Sequence, residues 1–167
     1  MFAEKAYGIL KVAAIDCLED EELCEEFTVY STPKILVFQE SYSDDGAAFT
    51  GKIDHKSLLS FSTSKMQSFV SIVTSENFDN FMANQPQKHH VILFTERKST
   101  APLYKALSKS YKDKLVFGET RQSDTVLIEK FKITSFPILL VITDSNEFKG
   151  DIYQGEFNID QMNKFLN

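Results

Sequence analysis

Apolar and polar positions in the second part of the chain follow the pattern of an α/β protein. Short apolar runs that are typical of buried strands alternate with stretches whose apolar residues have helical spacing. The predicted order is β-α-β-α-β-α-β-β-α, with strands over residues 69–73, 90–95, 115–119, 138–143 and 148–153 and helices over residues 77–83, 100–111, 124–131 and 160–166. Parallel units followed by a hairpin and a last helix predict a mixed sheet sandwiched by helices.

The first part of the chain predicts fewer elements of the same kinds. Residues 10–16 (LKVAAID) are apolar with β-branched members and predict a buried strand. Helices are predicted over residues 19–27 and 56–64, and Asp54 is a plausible N-cap of the second. Strands over residues 34–39 and 47–50 and turns over residues 41–46 and 144–146 complete the pattern.

An internal repeat relates the two parts. Residues 27–38 read FTVYSTPKILVF and residues 131–142 read FKITSFPILLVI, an offset of 104 positions. The same offset, without gaps, pairs Tyr7 with Tyr111 and Leu23 with Leu127. Because fixed-period similarity indicates repeated units, we expect tandem copies, over residues 1–66 and 69–167. The first copy lacks counterparts of residues 69–104, so we expect it to lack its N-terminal β-α-β.

The composition is typical of a globular protein and gives no indication of a nucleic-acid partner. Charged residues make up 25% and apolar residues 43% of the 167 positions. Residues 1–68 hold 12 acidic and 6 basic side chains, a net charge of −6, whereas the remainder is neutral. Basic residues are not concentrated, so we expect no nucleic-acid partner. No apolar run is long enough to span a membrane, and residues 1–10 do not resemble a signal peptide.

The order of elements, with a proline before the fourth strand and a glycine after the fifth, resembles thioredoxin. The tandem resembles the protein disulfide isomerase family, whose members string such domains together in the endoplasmic reticulum. The most specific matches are Ile15-Asp16-Cys17 with Cys24, the phrase VYSTP ending at Pro33, and Gly51. The resemblance implies that Pro33 and Pro137 are the cis-prolines of that family, whereas the alternative is an ordinary trans proline at the start of an edge strand.

The two cysteines admit three interpretations. Cys17 and Cys24 are separated by six residues, which fits neither a catalytic Cys-x-x-Cys nor a zinc site. In some members of the family the equivalent pair forms a structural disulfide, which is the first interpretation. Two buried free thiols are the second, and a catalytic role is the third. No cofactor or metal is expected.

Redox chemistry of the family requires a dithiol after the second strand. In the complete copy that place reads TERKSTAP, residues 95–102, and contains no cysteine. Ser99 lies near the nucleophile position, but a hydroxyl cannot exchange disulfides; we expect it to cap the next helix. The equivalent place in the first copy falls before residue 1. We therefore expect no dithiol activity from this chain.

Binding of polypeptides remains as an expected activity. In thioredoxin-like folds the backbone before the cis-proline can pair with an extended peptide. That analogy selects Ser135, Phe136 and Pro137, with Ser99 and Leu103 opposite, although Phe136 could instead pack in the core.

Three hypotheses follow. The chain is a non-catalytic region of a protein disulfide isomerase-like protein of the endoplasmic reticulum lumen that binds unfolded or client polypeptides. Alternatively, it is a redox-dead scaffold for protein–protein contact outside the secretory pathway, or part of an active oxidoreductase whose dithiol lies in absent residues. Unpaired strands in the first copy also predict self-association.

Overall fold

A computed structural model describes residues 1–39, 46–144 and 147–167, so the two predicted turns lie largely outside the described residues. The chain divides into two compact units, Met1–Gln67 (unit 1) and Ser68–Asn167 (unit 2). Both contain helices and strands, and the predicted α/β class is confirmed. In the described part of the chain, no helix has the length and apolar character that a membrane span requires.

The described residues of unit 1 form three helices and one pair of short strands. The helices are α1 (Phe2–Lys5), α2 (Glu21–Glu26) and α3 (His55–Ser64), and the strands are β1 (Leu36–Val37) and β2 (Ala47–Ala48). The strands are antiparallel, with Leu36 opposite Ala48 and Val37 opposite Ala47. Helix α3 begins as predicted, because the Asp54 carboxylate accepts a hydrogen bond from the Ser57 backbone N–H.

The prediction of a buried strand over residues 10–16 is wrong. This segment forms no strand, and residues 11–16 are exposed. An apolar run becomes a buried strand only where neighbouring strands satisfy its backbone groups. Within the described residues, none pairs with this segment, and that is the physical reason for the difference.

Unit 2 contains a five-stranded mixed sheet. Its strands are β3 (Val70–Ile72), β4 (His89–Thr95), β5 (Leu115–Arg121), β6 (Ile138–Asp144) and β7 (Lys149–Ile152), in the spatial order β3-β5-β4-β6-β7. Strand β5 runs parallel to β3 and β4, whereas β6 is antiparallel to β4 and β7. The central strand β4 is therefore paired on both sides, and all of its residues except His89 are buried.

Helices cover the two faces of this sheet. They are α4 (Phe78–Ala83), α5 (Pro102–Ser110), α6 (Thr125–Lys130) and α7 (Ile159–Leu166). Alternate residues of β4 point to opposite faces: Ile92 and Phe94 pack in one apolar cluster with residues of α4 and α6. Val91 and Leu93 pack in a second cluster with residues of α5 and α7. The predicted order of elements in this unit is confirmed, with boundaries shifted by a few residues.

The sequence repeat has a structural counterpart. Helix α6 begins and ends 104 residues after the corresponding ends of α2, and α7 begins 104 residues after the start of α3. The pairing of Leu36 with Ala48 recurs as that of Leu140 with Ile152. The elements of unit 1 thus correspond to the last part of unit 2.

Candidate functional site

Three chain segments meet at one end of the sheet of unit 2. Phe94 pairs with Ile138, so the end of β4 lies beside the start of β6. Thr95 pairs with Arg121, which places the end of β5 there as well. The loop of residues 96–101 leaves this end, and Pro137 directly precedes β6 on the same end.

The predicted peptide-binding residues differ in exposure. Ser99, Ser135 and Pro137 are exposed. Phe136 is half-buried and packs against the first apolar cluster, while Leu103 is half-buried against the second. The Phe136–Pro137 peptide bond is cis, as is the Thr32–Pro33 bond in unit 1. Backbone near Ser135 and the loop that carries Ser99 are thus accessible, whereas the two apolar side chains mainly contribute to packing.

The prediction that Ser99 caps the following helix is wrong. Helix α5 begins at Pro102, its N-cap position is Ala101, and no side chain caps it. Proline at the first helical position lacks the N–H that a cap would satisfy, so the helix needs less help from a side chain there. Ser99 remains an exposed loop residue.

A buried carboxylate anchors the loop. Glu119 of β5 is fully buried, and its Oε2 accepts a hydrogen bond from Thr100 Oγ1 at 2.5 Å. Its Oε1 lies 2.6 Å from Arg121 Nη1, and the same Nη1 donates to the carbonyl oxygen of Arg97 at 2.7 Å. A buried charge is tolerated when it is paired and hydrogen-bonded. The network joins β5 to both ends of the loop, so the loop is held by a charged residue of the sheet.

Tyr104 of α5 lies beside this network. Its hydroxyl is buried and lies 2.8 Å from the carbonyl oxygen of Gly118 and 3.2 Å from that of Val91. Burial raises the pKa of the phenol well above its ordinary value, and the negative charge of Glu119 raises it further. Tyr104 therefore stays neutral and ties α5 to the sheet.

The site contains polar groups but no thiol. Glu119, Thr100 and Arg121 bond mainly to each other and to the backbone, so they position the loop more than they offer reactive atoms. Within the described ranges, no three His, Cys, Asp or Glu side chains are grouped so that they could hold a metal ion. The arrangement therefore presents exposed backbone, in the loop that carries Ser99 and near Ser135, and the loop is fixed to the sheet.

Sequence reasoning missed Glu119, Thr100 and Arg121. The available signal was a glutamate inside the apolar run LVFGETR. A charged residue at a buried strand position usually has a partner, and Arg121 lies two residues on, on the same face of the strand.

The two cysteines belong to unit 1. Cys17 and Cys24 are joined by a disulfide, and Cys24 is buried in α2. The bond links Cys17, which directly follows the exposed residues 11–16, to α2. The structure therefore agrees with the first of the three interpretations of this cysteine pair, a disulfide.

Comparisons with known proteins agree with this architecture. A family described as thioredoxin-like domain matches residues 5–167. A Dictyostelium discoideum protein provisionally named protein disulfide-isomerase is 29% identical over 164 residues, covering 95% of this chain and 40% of that protein. A protein disulfide-isomerase of Arthroderma benhamiae is 25% identical over 157 residues, covering 94% of this chain and 29% of its own length. The chain thus spans well under half of these relatives.

A solved structure with a similar fold is that of ERdj5 in its crystal form II. It superposes with a TM-score of 0.66 at 19% identity and covers 99% of this chain and 23% of ERdj5. The resemblance to the protein disulfide isomerase family found in the sequence is confirmed. With a family match over nearly its whole length, the chain belongs to the thioredoxin-like domain family.

Proposed function

We propose that this chain is a region of a protein disulfide isomerase-like protein that binds extended segments of unfolded or partner polypeptides and does not itself exchange disulfides. The observation that carries the proposal is the loop of residues 95–102, which stands where the family places its dithiol and contains no cysteine. The loop is anchored to the sheet by Glu119 and Arg121, and the backbone near Ser135 beside it is exposed. Both features support polypeptide binding as the activity of this chain.

The absence of a thiol from this loop removes the nucleophile of the reaction. Disulfide exchange requires a thiolate that attacks a sulfur atom, and neither Ser99 nor Thr100 can replace it. The two cysteines of the chain are bonded to each other in unit 1. Cys24 is 5% exposed, so attack on its sulfur by a bulky thiol is hindered.

Binding would use the backbone before Pro137. Ser135 is exposed and lies between α6 and β6, four residues after Phe131, the C-cap of α6. An extended peptide can add to such a backbone by main-chain hydrogen bonds, which give affinity without strong sequence preference. That property suits the recognition of unfolded chains.

The proposed compartment is the lumen of the endoplasmic reticulum. Disulfides persist in oxidising compartments and are rare in the cytosol, and the Cys17–Cys24 bond fits that environment. Similarity to protein disulfide-isomerases, a family of the endoplasmic reticulum lumen, supports the same compartment.

The first test combines a redox assay with a binding assay on the whole chain. We expect no reduction of insulin above the uncatalysed rate, and saturable binding of a fluorescent, reduced and alkylated unfolded protein. Ser135→Pro removes the backbone N–H and should weaken binding, whereas Ser135→Ala keeps the N–H and should bind normally. Circular dichroism establishes that both variants fold. Redox turnover, or equal binding by the two variants, would overturn the proposal.

The scaffold hypothesis makes a different prediction. A scaffold outside the secretory pathway has both cysteines reduced in cells and one defined partner. Alkylation of the protein without reductant, followed by mass measurement, distinguishes the two. Free thiols would favour the scaffold, whereas an oxidised pair favours the secretory hypothesis. The third hypothesis, a longer oxidoreductase, requires a dithiol outside these 167 residues.

A further inference from the structure

The two edge strands of the sheet described in unit 2 differ in character. Strand β7 (KGDI) carries Lys149 and Asp151, and the register of its pairing with β6 shifts between Ile142 and Asp144. Charged side chains and such irregularities are common means by which an exposed sheet edge avoids pairing with another chain. Strand β3 lies at the opposite edge, and its three residues (VSI) are uncharged and pair in regular register with β5.

The sequence around β3 is suited to pairing between molecules. Residues 69–74 read FVSIVT, without a charged residue, a proline or a glycine. Short segments with high β propensity and low net charge are the ones that stack into intermolecular sheets when an edge is open. Ser71 is exposed and Ile72 is 47% exposed, so this strand meets solvent. Protection of this edge therefore has to come from something other than charge on the strand.

Hydrogen bonding shows which backbone groups face outward from β3. The Val73 N–H donates to the carbonyl oxygen of Glu119 on β5, at 2.9 Å. The backbone groups of successive residues in a strand point to opposite sides, so those of Ile72 and the N–H of Thr74 point away from β5. These outward groups are the ones with which an added strand would pair.

The side-chain amide of Asn77 takes up two of these outward groups. Its Nδ2 donates to the carbonyl oxygen of Ile72 at 3.0 Å, and its Oδ1 accepts from the Thr74 N–H at 2.8 Å. A peptide group of a neighbouring strand would offer the same donor and acceptor. Asn77 is the N-cap residue of α4, where asparagine ordinarily bonds to the first turn of the helix, but its side chain makes no such bond.

We propose that Asn77 closes the outer edge of β3 and thereby prevents a second copy of this chain from adding its own β3 there. At the other end of the strand, Ser68 Oγ accepts from the Val70 N–H at 3.3 Å. Between these two side chains, the Val70 carbonyl and the Ile72 N–H remain as outward groups. Two groups are far fewer than a stable strand pairing uses.

A second copy is the partner that the sequence favours for an open β3 edge. Identical uncharged segments can stack in register with matching side chains. Residues 69–167 carry 12 acidic and 12 basic side chains, so no net charge on this part of the chain opposes the approach of two copies. The inference concerns the outer edge of the sheet and does not depend on the peptide site near Pro137.

The wild-type protein provides the first test. Hydrogen exchange measured for single residues by NMR should show the Thr74 N–H exchanging about tenfold or more slowly than the Ile72 N–H, after correction for intrinsic rates. Both groups point away from β5, and the bond to Asn77 Oδ1 distinguishes them. Equal exchange of the two N–H groups would overturn the proposal, because Asn77 would then not hold the edge.

Variants test the consequence for association. Asn77→Ala removes both bonds, and its sedimentation coefficient should rise with protein concentration more steeply than that of the wild type. Adding Ile72→Lys to Asn77→Ala should reverse this rise, since a lysine on an edge strand disfavours pairing. Tyr104→Phe is the matched control, because it also removes a side chain that contacts two carbonyl oxygens in unit 2 but leaves the edge of β3 unchanged.

The contrary outcomes are distinct. Association of a folded Asn77→Ala equal to that of the wild type would overturn the proposal, and circular dichroism establishes the folding. Equal association of Tyr104→Phe would assign the effect to lower stability, and association that leaves exchange in residues 70–74 unchanged would place the contact elsewhere; both overturn it, as does failure of Ile72→Lys to reverse the rise. If Asn77→Ala does not fold, the exchange of Thr74 and Ile72 in the wild type decides.

Discussion

The carboxylate of Glu119 and the guanidinium of Arg121 form an ion pair across one face of β5, with 2.6 Å between Oε1 and Nη1. Glu119 is fully buried, while the Arg121 side chain is 22% exposed. Because Glu119 and Arg121 are two residues apart on a strand, their side chains point to the same face of the sheet. The arginine also donates to the backbone carbonyl of Arg97 and so connects the sheet to the loop of residues 96–101.

Replacing Arg121 should destabilise unit 2. Arg121→Met leaves the buried Glu119 carboxylate with Thr100 as its remaining hydrogen-bond partner among the described side chains, and removing one member of a buried pair typically costs about 3–5 kcal/mol. We expect a loss near the lower end, about 3 kcal/mol, since Arg121 is partly solvated. Urea denaturation measures it. Arg97→Met is the matched control, because only the backbone of Arg97 joins the network and its loss should be small.

Replacing Tyr104 should change how stability depends on alkaline pH. Tyr104→Phe removes a buried hydroxyl with two carbonyl partners and should cost about 1 kcal/mol near neutral pH. The pKa of Tyr104 is raised in the folded state, so its contribution is complete below the ordinary value of 10.0 and is lost as pH rises above it. The wild type should therefore lose stability faster than the variant above that pH.

Thermal denaturation at a series of pH values checks this. All other titrating groups are common to the two proteins, so the difference between their curves isolates Tyr104. A difference that stays constant above pH 10.0 would contradict the assigned burial.

Removing the disulfide should loosen unit 1 alone. The bond closes a short loop, with a sequence separation of 7, and by the loop-entropy estimate contributes about 2 kcal/mol. We expect the double variant Cys17→Ser, Cys24→Ala to show faster hydrogen exchange in α2 and unchanged exchange in the sheet of unit 2. Alanine is chosen at position 24 because that side chain is buried. Exchange that accelerates equally in both units would contradict this expectation.

Completing unit 1 in cis should stabilise it. The 104-residue offset makes residues 69–104 the counterpart of what would stand directly before Met1. A chain in which a copy of residues 69–104 precedes Met1 should bury Val12 and Ile15 and slow hydrogen exchange in residues 11–16. A scrambled copy of equal composition is the control. If both extensions leave these residues equally exposed, the correspondence between the two units does not extend to the missing strand.

Predictions from sequence succeeded where the deciding information was local. The strands and helices of unit 2 follow from apolar periodicity, and Asp54 caps α3 because it directly precedes the first turn of that helix. The absence of cysteine from the loop of residues 95–102 is read directly from the sequence, whereas the lack of redox activity stays a prediction. The pairing of Cys17 with Cys24 was left open, since either a disulfide or two thiols can follow from the same spacing.

Predictions failed where the outcome depended on partners distant in the chain. Residues 10–16 have the composition of a buried strand, as do residues 115–121, but within the ranges that the structure describes only the latter have strands beside them. The Ser99 prediction failed for a local reason instead: serine favours the cap position, but the helix begins three residues later at a proline.

By itself, the sequence determined the fold class, the repeat and the lack of a thiol in the loop, because these depend on which residues are present and in what order. The tertiary structure decided that Glu119 is bonded to Thr100 and Arg121, and that Val12 is exposed while Val116 is buried. Those outcomes depend on which strands lie side by side. The backbone groups of a strand are hydrogen-bonded, and its side chains buried, by adjacent strands. Which strands are adjacent is decided only when the sheet assembles.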